Sequence, residues 1–241
     1  MIFGTPPIVT NGLISYLDAS NYKSYVSGSA NWFDLTPNTN SGSLVSTPTY
    51  STDGPSILLN GSTQHIECKD IAAISGSTQL SVFYWVKPTS LGVSQCMVAQ
   101  WDYQTQACFA FQISNANTTS VTLFICPTLN DGGTNYNIYN SDFANQKWSY
   151  VGFVYDGSQS TNQTKAKVYI DGALATFSST GGTIPTSLLN ASSTVKIGKF
   201  GGSLARYFPG NFGSFKMYTR ALTAGEVLQN YNATKSRYNR S

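Results

Sequence analysis

Two glutamates and nine aspartates are the only carboxylates in this chain of 241 residues, and their spacing is the first test of chemistry. Cleavage of a glycosidic bond needs a carboxylate on each side of it, about 5–5.5 Å apart for retention or roughly 6.5–9.5 Å for inversion. Here no two acidic residues stand two positions apart, and Glu226 reads more simply as a helix cap. The expectation is a protein that is not an enzyme, with distant aspartates converging in space as the alternative. A Ser-His-Asp triad would have to use His65, the single histidine, which sits beside Ile66 in a strand-like run. No G-x-S-x-G elbow, P-loop or dinucleotide fingerprint is present.

Binding chemistry is better represented. Sugars stack their C–H faces on aromatic rings and are oriented by a few amides and hydroxyls. Three turn-prone segments offer that combination: Trp101-Asp102-Tyr103, the stretch 135–140 with Tyr136 and Tyr139, and Arg206-Tyr207-Phe208. Trp101, Asp102, Tyr103, Tyr136, Tyr139 and Tyr207 are the candidate glycan contacts. The competing reading is that these rings turn inward as plugs. Trp32, Trp85 and Trp148 are assigned to the core.

Cys68, Cys96, Cys108 and Cys126 contain no C-x-x-C pair, which argues against zinc. They read as buried free thiols. A Cys96–Cys108 cross-strand pair is the alternative if residues 101–105 form a hairpin tip.

Charged residues make up only 10% of the chain and aromatics 13%. That composition opposes disorder of the highly charged kind. Residues 1–195 carry a net −4 and residues 196–241 a net +7. Lys235, Arg237 and Arg240, at the end of the basic part, are therefore candidate docking residues, with a solvated tail as the bland reading. Eight basic charges scattered over these 46 residues, without an interleaved aromatic platform, make a poor nucleic-acid groove binder, so no nucleic-acid partner is expected. No stretch approaches the ~18 apolar residues of a membrane span, and no membrane partner is expected. The opening residues show neither the basic nor the apolar region of a secretory leader.

The elements that must position these residues are strands. Lys165–Ala173 (K-A-K-V-Y-I-D-G-A) alternates with period 2 and ends in Asp171-Gly172, a type I′ hairpin signal. Ser149–Tyr155 precedes it. Ser81–Lys87 is apolar on both faces and is placed centrally. Strands are expected at 11–18, on both sides of Asn60-Gly61 within 56–67, and at 93–100, 108–114, 121–126, 136–140, 195–200 and 212–218. The segment 19–50 is expected to cross one end of the molecule, anchored by Trp32, Phe33 and Leu35. Thr223 and Glu226 fit a capping box for one helix, with Val227, Leu228 and Tyr231 on its inner face. A single domain over 1–241 is expected, with an N-terminal arm (1–11) and a frayed C-terminal tail (234–241).

The ordered pieces G-L-I-S-Y-L-D-A (12–19), N-W-F-D-L (31–35), L-L-N-G-S-T-Q-H-I-E (58–67), L-S-V-F-Y-W-V-K-P (80–88), V-K-I-G-K-F (195–200) and G-N-F-G-S-F-K-M-Y-T-R-A-L-T-A-G-E-V (210–227) resemble the laminin-G-like and concanavalin A-like jelly rolls. The resemblance implies an all-β fold, an antiparallel two-sheet jelly-roll sandwich with one short C-terminal helix. Glucanases of this fold carry an E-x-D-x-E-type run, which is missing here. In many such jelly rolls a calcium ion is held at one edge. The matching positions are Asp18 and the carbonyls of Asn60 and Gly61, but F-G-S-F (212–215) stands where relatives carry a carboxylate. The L-D-A opening, W-F-D-L and the R-A-L-T-A-G-E-V ending are also similar to modules of tailed-phage structural proteins. That similarity implies a multi-copy, non-catalytic module on the virion surface, contacting other capsid or tail proteins and host cell-surface polysaccharide. A freestanding extracellular lectin and a polysaccharide-degrading enzyme are the alternatives.

Overall fold

In the computed structural model, residues 6–91, 93–102, 105–114, 120–140, 146–202, 204 and 206–240 are described. Among them lie seventeen strands. The first six are β1 (Leu13–Asp18), β2 (Asn31–Trp32), β3 (Gly42–Val45), β4 (Thr49–Ser51), β5 (Ser56–Asn60) and β6 (His65–Cys68). Next come β7 (Gln79–Pro88), β8 (Gln95–Asp102), β9 (Gln106–Ile113), β10 (Ser120–Ile125), β11 (Tyr136–Asn140) and β12 (Ser149–Asp156). A one-turn helix α1 (Asn162–Lys165) leads to β13 (Ala166–Ile170), β14 (Ala173–Leu174), β15 (Thr176–Gly181), β16 (Val195–Ile197) and β17 (Pro209–Tyr218). Helix α2 (Ala224–Thr234) and a 3-10 turn (Lys235–Tyr238) close the chain.

The strands form two antiparallel sheets. One runs β14-β13-β12-β7-β17-β5-β4, with β1 beside β17; the other runs β15-β11-β10-β9-β8-β16-β6-β3-β2. The expected sandwich is therefore observed. Strand β7 lies between β12 and β17, and its residues alternate between the core between the sheets (Val82, Tyr84, Val86) and a second core on the outer face (Phe83, Trp85), which accounts for its apolar residues on both faces. Asp171 and Gly172 both adopt positive φ (50° and 83°) in the hairpin joining β13 to β14. The two strands flanking Asn60-Gly61 lie in opposite sheets, so this turn is a crossover.

The main core fills the space between the sheets. Ile57, Val82, Phe153 and Phe215 meet Ile66, Phe109, Phe111 and Leu123 there. A second core covers the outer face of the β7 sheet, where Trp85, Trp148 and Tyr150 pack under Val227, Tyr231 and Tyr238. The capping box of Thr223 and Glu226 forms as expected.

Two expectations change. Phe33 and Leu228 are exposed (48% and 46%), while Asn230 and Thr234 occupy the helix face that Leu228 was expected to share. The C-terminal tail is not frayed: Tyr238 is 1% exposed and stacks 4.5 Å from Trp85. The N-terminal arm is docked, with the Val9 amide donating to Asn230 Oδ1 at 2.8 Å. All four cysteines are free and buried, as expected, and the alternative Cys96–Cys108 pair does not form. Cys96 opposes Gln112 across the β8–β9 ladder, and Cys96 and Cys108 belong to clusters on opposite faces of their sheet.

Candidate functional site

The period-2 alternation of β9, β10 and β11 sends Phe111, Leu123 and Tyr139 into the core and turns Gln112, Thr122, Phe124, Tyr136 and Ile138 to the outer face. A loop after β16 folds back over this face. It is tied to the sheet by the Arg206 carbonyl, which accepts the amides of Cys96 (3.3 Å) and Phe200 (3.2 Å). A second wall comes from Gly132 and Gly133. Their turn is held by Asp131, whose carboxylate accepts the amides of Gly133 (2.8 Å) and Thr134 (2.9 Å) and the Asn135 side-chain amide (2.7 Å). Between these walls lies a groove of about 280 Å³.

Its floor is aromatic. Trp101 packs 5.0 Å from Phe200 and edge-on to Phe124, and Phe124 in turn meets Tyr136 edge-on at 5.7 Å. Its polar groups are Ser94, Gln112, Thr122 and Arg206. Arg206 Nη1 donates to Gln112 Oε1 at 2.8 Å, and its guanidinium lies 5.6 Å from the Phe200 ring centre. No carboxylate stands among the lining residues described.

A second polar cluster lies on neighbouring strands of the same sheet, where Lys196 stands between Asp102 (3.1 Å) and Glu67 (4.0 Å). The Thr194 hydroxyl donates to Glu67 at 2.6 Å. Burial opposes ionisation of Glu67, but that hydrogen bond and Lys196 outweigh it and hold the carboxyl below its usual range. Tyr207 meets His65 edge-on and lies under the Lys199 ammonium, 5.4 Å from the ring centre. Burial, then Lys199, push the His65 imidazole down.

Of the residues picked out from sequence, Tyr136 reaches the groove. Trp101 borders it as a fully buried floor. Asp102 is engaged by Lys196, and Tyr207 belongs to the second cluster. Tyr139 points the other way, its hydroxyl donating to the Ala166 carbonyl. Tyr103 lies outside the described residues. Gln112, Thr122 and Phe124 were missed; the signal available was a polar residue breaking each apolar strand, as Thr122 does between Val121 and Leu123.

The calcium set does not assemble. Asp18 is level with Ser214 on β17 and Asn60 with Pro209, five residues away along the same strand. The Asp18 oxygens already accept from Tyr16 Oη (2.7 Å), the Ser20 amide (3.0 Å) and hydroxyl (2.6 Å), and Arg237 Nη1 (2.7 Å). Burial works against this charge, but the Ser20 and Tyr16 hydrogen bonds, Lys216 and Arg237 together hold the carboxyl below its ordinary range. Calcium takes about six to eight oxygens, whereas this carboxylate is committed to a guanidinium. Among the described residues no group of three or more His, Cys, Asp or Glu side chains is placed to hold a metal.

The expected docking residues are likewise used internally. Arg237 binds Asp18, Arg240 binds Asp171, and the Lys235 ammonium sits 5.7 Å from the Tyr231 ring centre.

A family model described as the concanavalin A-like lectin/glucanases superfamily matches residues 60–228. The chain belongs to this superfamily. No curated protein matches it. Among solved structures, this superfamily member is similar to domain 4 of AbnA, a GH43 extracellular arabinanase from Geobacillus stearothermophilus. Identity is 19% and the TM-score 0.60, over 91% of this chain and 98% of that one. It is similar to the receptor-binding domain of the botulinum neurotoxin C/D mosaic serotype at 14% identity and TM-score 0.64, over 91% of this chain and 51% of that one. Trypanosoma rangeli sialidase, in complex with sialic acid, gives 12% identity and TM-score 0.67, over 97% of this chain and 36% of that one. The chain thus spans about half of the toxin domain and about a third of the sialidase. At these identities the likeness shows the fold alone.

Proposed function

We propose that this chain is a non-catalytic saccharide-binding module whose site is the groove over β9, β10 and β11. One observation carries the reading: a preformed groove on the outer face of a sheet presents the half-exposed Tyr136 ring opposite amide, hydroxyl and guanidinium donors. Its volume of about 280 Å³ sits near the lower end of small-ligand sites and suits a short stretch of saccharide. The arabinanase domain, solved with arabinotriose, supports the ligand class. The multi-copy virion setting implied by the sequence resemblance is part of the proposal, because a shallow groove binds weakly and repetition adds avidity.

The rival is hydrolysis, favoured by a single observation: Glu67 and Asp102 both lie within 4.0 Å of Lys196 Nζ. A general acid needs a raised pKa, yet Glu67 is held low. The ammonium between the two carboxylates also occupies the place of a scissile bond.

The test combines a glycan array with calorimetry. Wild type should bind at least one oligosaccharide family. Tyr136→Ala should weaken that binding about tenfold or more, as loss of a stacking ring does, without lowering the melting temperature. No reducing ends should appear from β-glucan, chitin or alginate. Turnover abolished by Glu67→Gln would overturn the reading.

A further inference from the structure

The chain has four arginines, and three of them bind carboxylates of the chain itself: Arg220 to Glu226, Arg237 to Asp18 and Arg240 to Asp171. Among the described residues Arg206 has no carboxylate partner, and it is the one that lines the groove. Its side-chain partner is the neutral amide of Gln112, itself only 5% exposed. The two nearest acidic side chains in sequence to the groove walls are committed elsewhere. Asp131 is closed into its own turn by four donors, and Asp102 is held by Lys196.

A guanidinium presents five N–H donors in a planar fork. Gln112 engages one Nη1 hydrogen and the Phe200 ring lies near its carbon, so the group is oriented while retaining donors for a ligand. Its backbone is fixed as well: the amide donates to the Leu204 carbonyl at 2.8 Å, and the carbonyl accepts from Cys96 and Phe200. An oriented, half-buried, unpaired cation beside an aromatic floor is a site for an anion with a planar pair of oxygens.

We propose that the saccharide bound in the groove carries a carboxylate, as a uronate or sialate does, and that Arg206 selects it. This rests on the groove being the saccharide site. Arg206 receives the carboxylate as a two-pronged, charge-assisted hydrogen bond, Tyr136 covers a ring face, and Gln112 holds the guanidinium in register.

The experiment uses matched pairs on the full chain, read by calorimetry: trigalacturonate against its carboxyl-reduced trisaccharide, and 3′-sialyllactose against lactose. At least one acidic member should bind about tenfold or more tighter than its neutral counterpart, as charge-assisted hydrogen bonds warrant. Raising the salt should shrink the preference, because the pair is partly exposed. Arg206→Gln should erase the preference, weakening the acidic member far more than its neutral counterpart. Arg206→Lys, which keeps the charge but not the fork, should restore only part of it. Melting curves check that both variants fold. Neutral members binding as tightly as acidic ones, with Tyr136→Ala weakening both, overturns the carboxylate preference and leaves the groove as the site. Binding unchanged by Tyr136→Ala and by Arg206→Gln overturns both.

Discussion

Lys216 stands on the outer face of β17 with no exposed surface, and among the described residues no carboxylate lies within ion-pair distance of it. Its ammonium reaches Ser214 Oγ at 3.3 Å and faces the rings of Tyr16 (4.8 Å) and Tyr150 (5.9 Å). Burial lowers its pKa to about 8, against a raising influence from Asp18 and a further lowering one from Arg237. The folded value thus lies below the unfolded value of about 10.4. Between the two the unfolded chain holds more protons, so stability should rise with pH from about 8 to 10. Above pH 10 the trend should reverse, because buried Tyr16, Tyr150, Tyr218 and Tyr238 stay protonated when their unfolded counterparts ionise. Lys216→Met should stabilise the protein at pH 7 by about 1–3 kcal/mol, the scale of removing a buried charge, and flatten the rise. Urea midpoints from pH 7 to 11 measure both effects. A variant less stable at pH 7 would show that Lys216 is a net support for Asp18.

At the scale of elements, the contrast between α2 and the turn after it shows what a sequence exposes. Helix α2 was legible because its determinants are local: Thr223 accepts the Glu226 amide and Glu226 reaches back to the Thr223 amide. The turn Lys235–Tyr238 was not, since one tyrosine among charged and polar residues has no period. What buries Tyr238 is non-local: Trp85 on β7 at 4.5 Å and Trp148, just before β12, at 4.7 Å, both far back in the chain. Gly213 opens the space, for a Cβ there would come 2.4 Å from the Tyr238 ring. The tail is therefore a lid on the second core. Tyr238→Ala should cost about 3–5 kcal/mol, in the range of large aromatic deletions, and removing Lys235–Ser241 should cost at least as much. Denaturant midpoints of the two variants should fall together. A truncation as stable as wild type would mean that Trp85 and Trp148 repack without it.

The whole molecule explains a charge pattern that sequence alone could describe but not place. The basic C-terminal part does not stand apart from the acidic body: Lys196 pairs with Asp102, Arg237 with Asp18 and Arg240 with Asp171, each joining residues more than sixty positions apart. Three of the eight cations behind the imbalance are thus paired with carboxylates of the body by folding. In the same way, strand alternation placed most strands and the sandwich class, while the groove depended on which strands became neighbours and on where the loop carrying Arg206 landed. Tyr136 was visible as an aromatic near a turn, but its partnership with Gln112 and Arg206 was not, because three separate segments supply them.

The cysteines report on how this sandwich opens. Cys68 and Cys108 face the core between the sheets, while Cys96 and Cys126 pack on the outer face of the same sheet. All four are buried, and burial pushes the Cys68 and Cys108 thiols up to about 12, so almost no thiolate is present at neutral pH. An aromatic disulfide reagent should therefore find no reactive thiol in the native protein and four after denaturation. If the two sheets and the C-terminal lid form one cooperative unit, a slow trickle of labelling in mild denaturant should modify all four at a single rate, that of global unfolding. Mass spectrometry of partly labelled samples distinguishes the cases: a cooperative fold yields only unlabelled and fully labelled chains when labelling outpaces refolding. Chains modified at Cys96 and Cys126 alone would show that the groove face opens while the inner core stays shut, and the single-unit reading would fail. The first outcome is expected, because β8 and β9 contribute residues to both faces, so neither face can be exposed without disturbing the strands that hold the other.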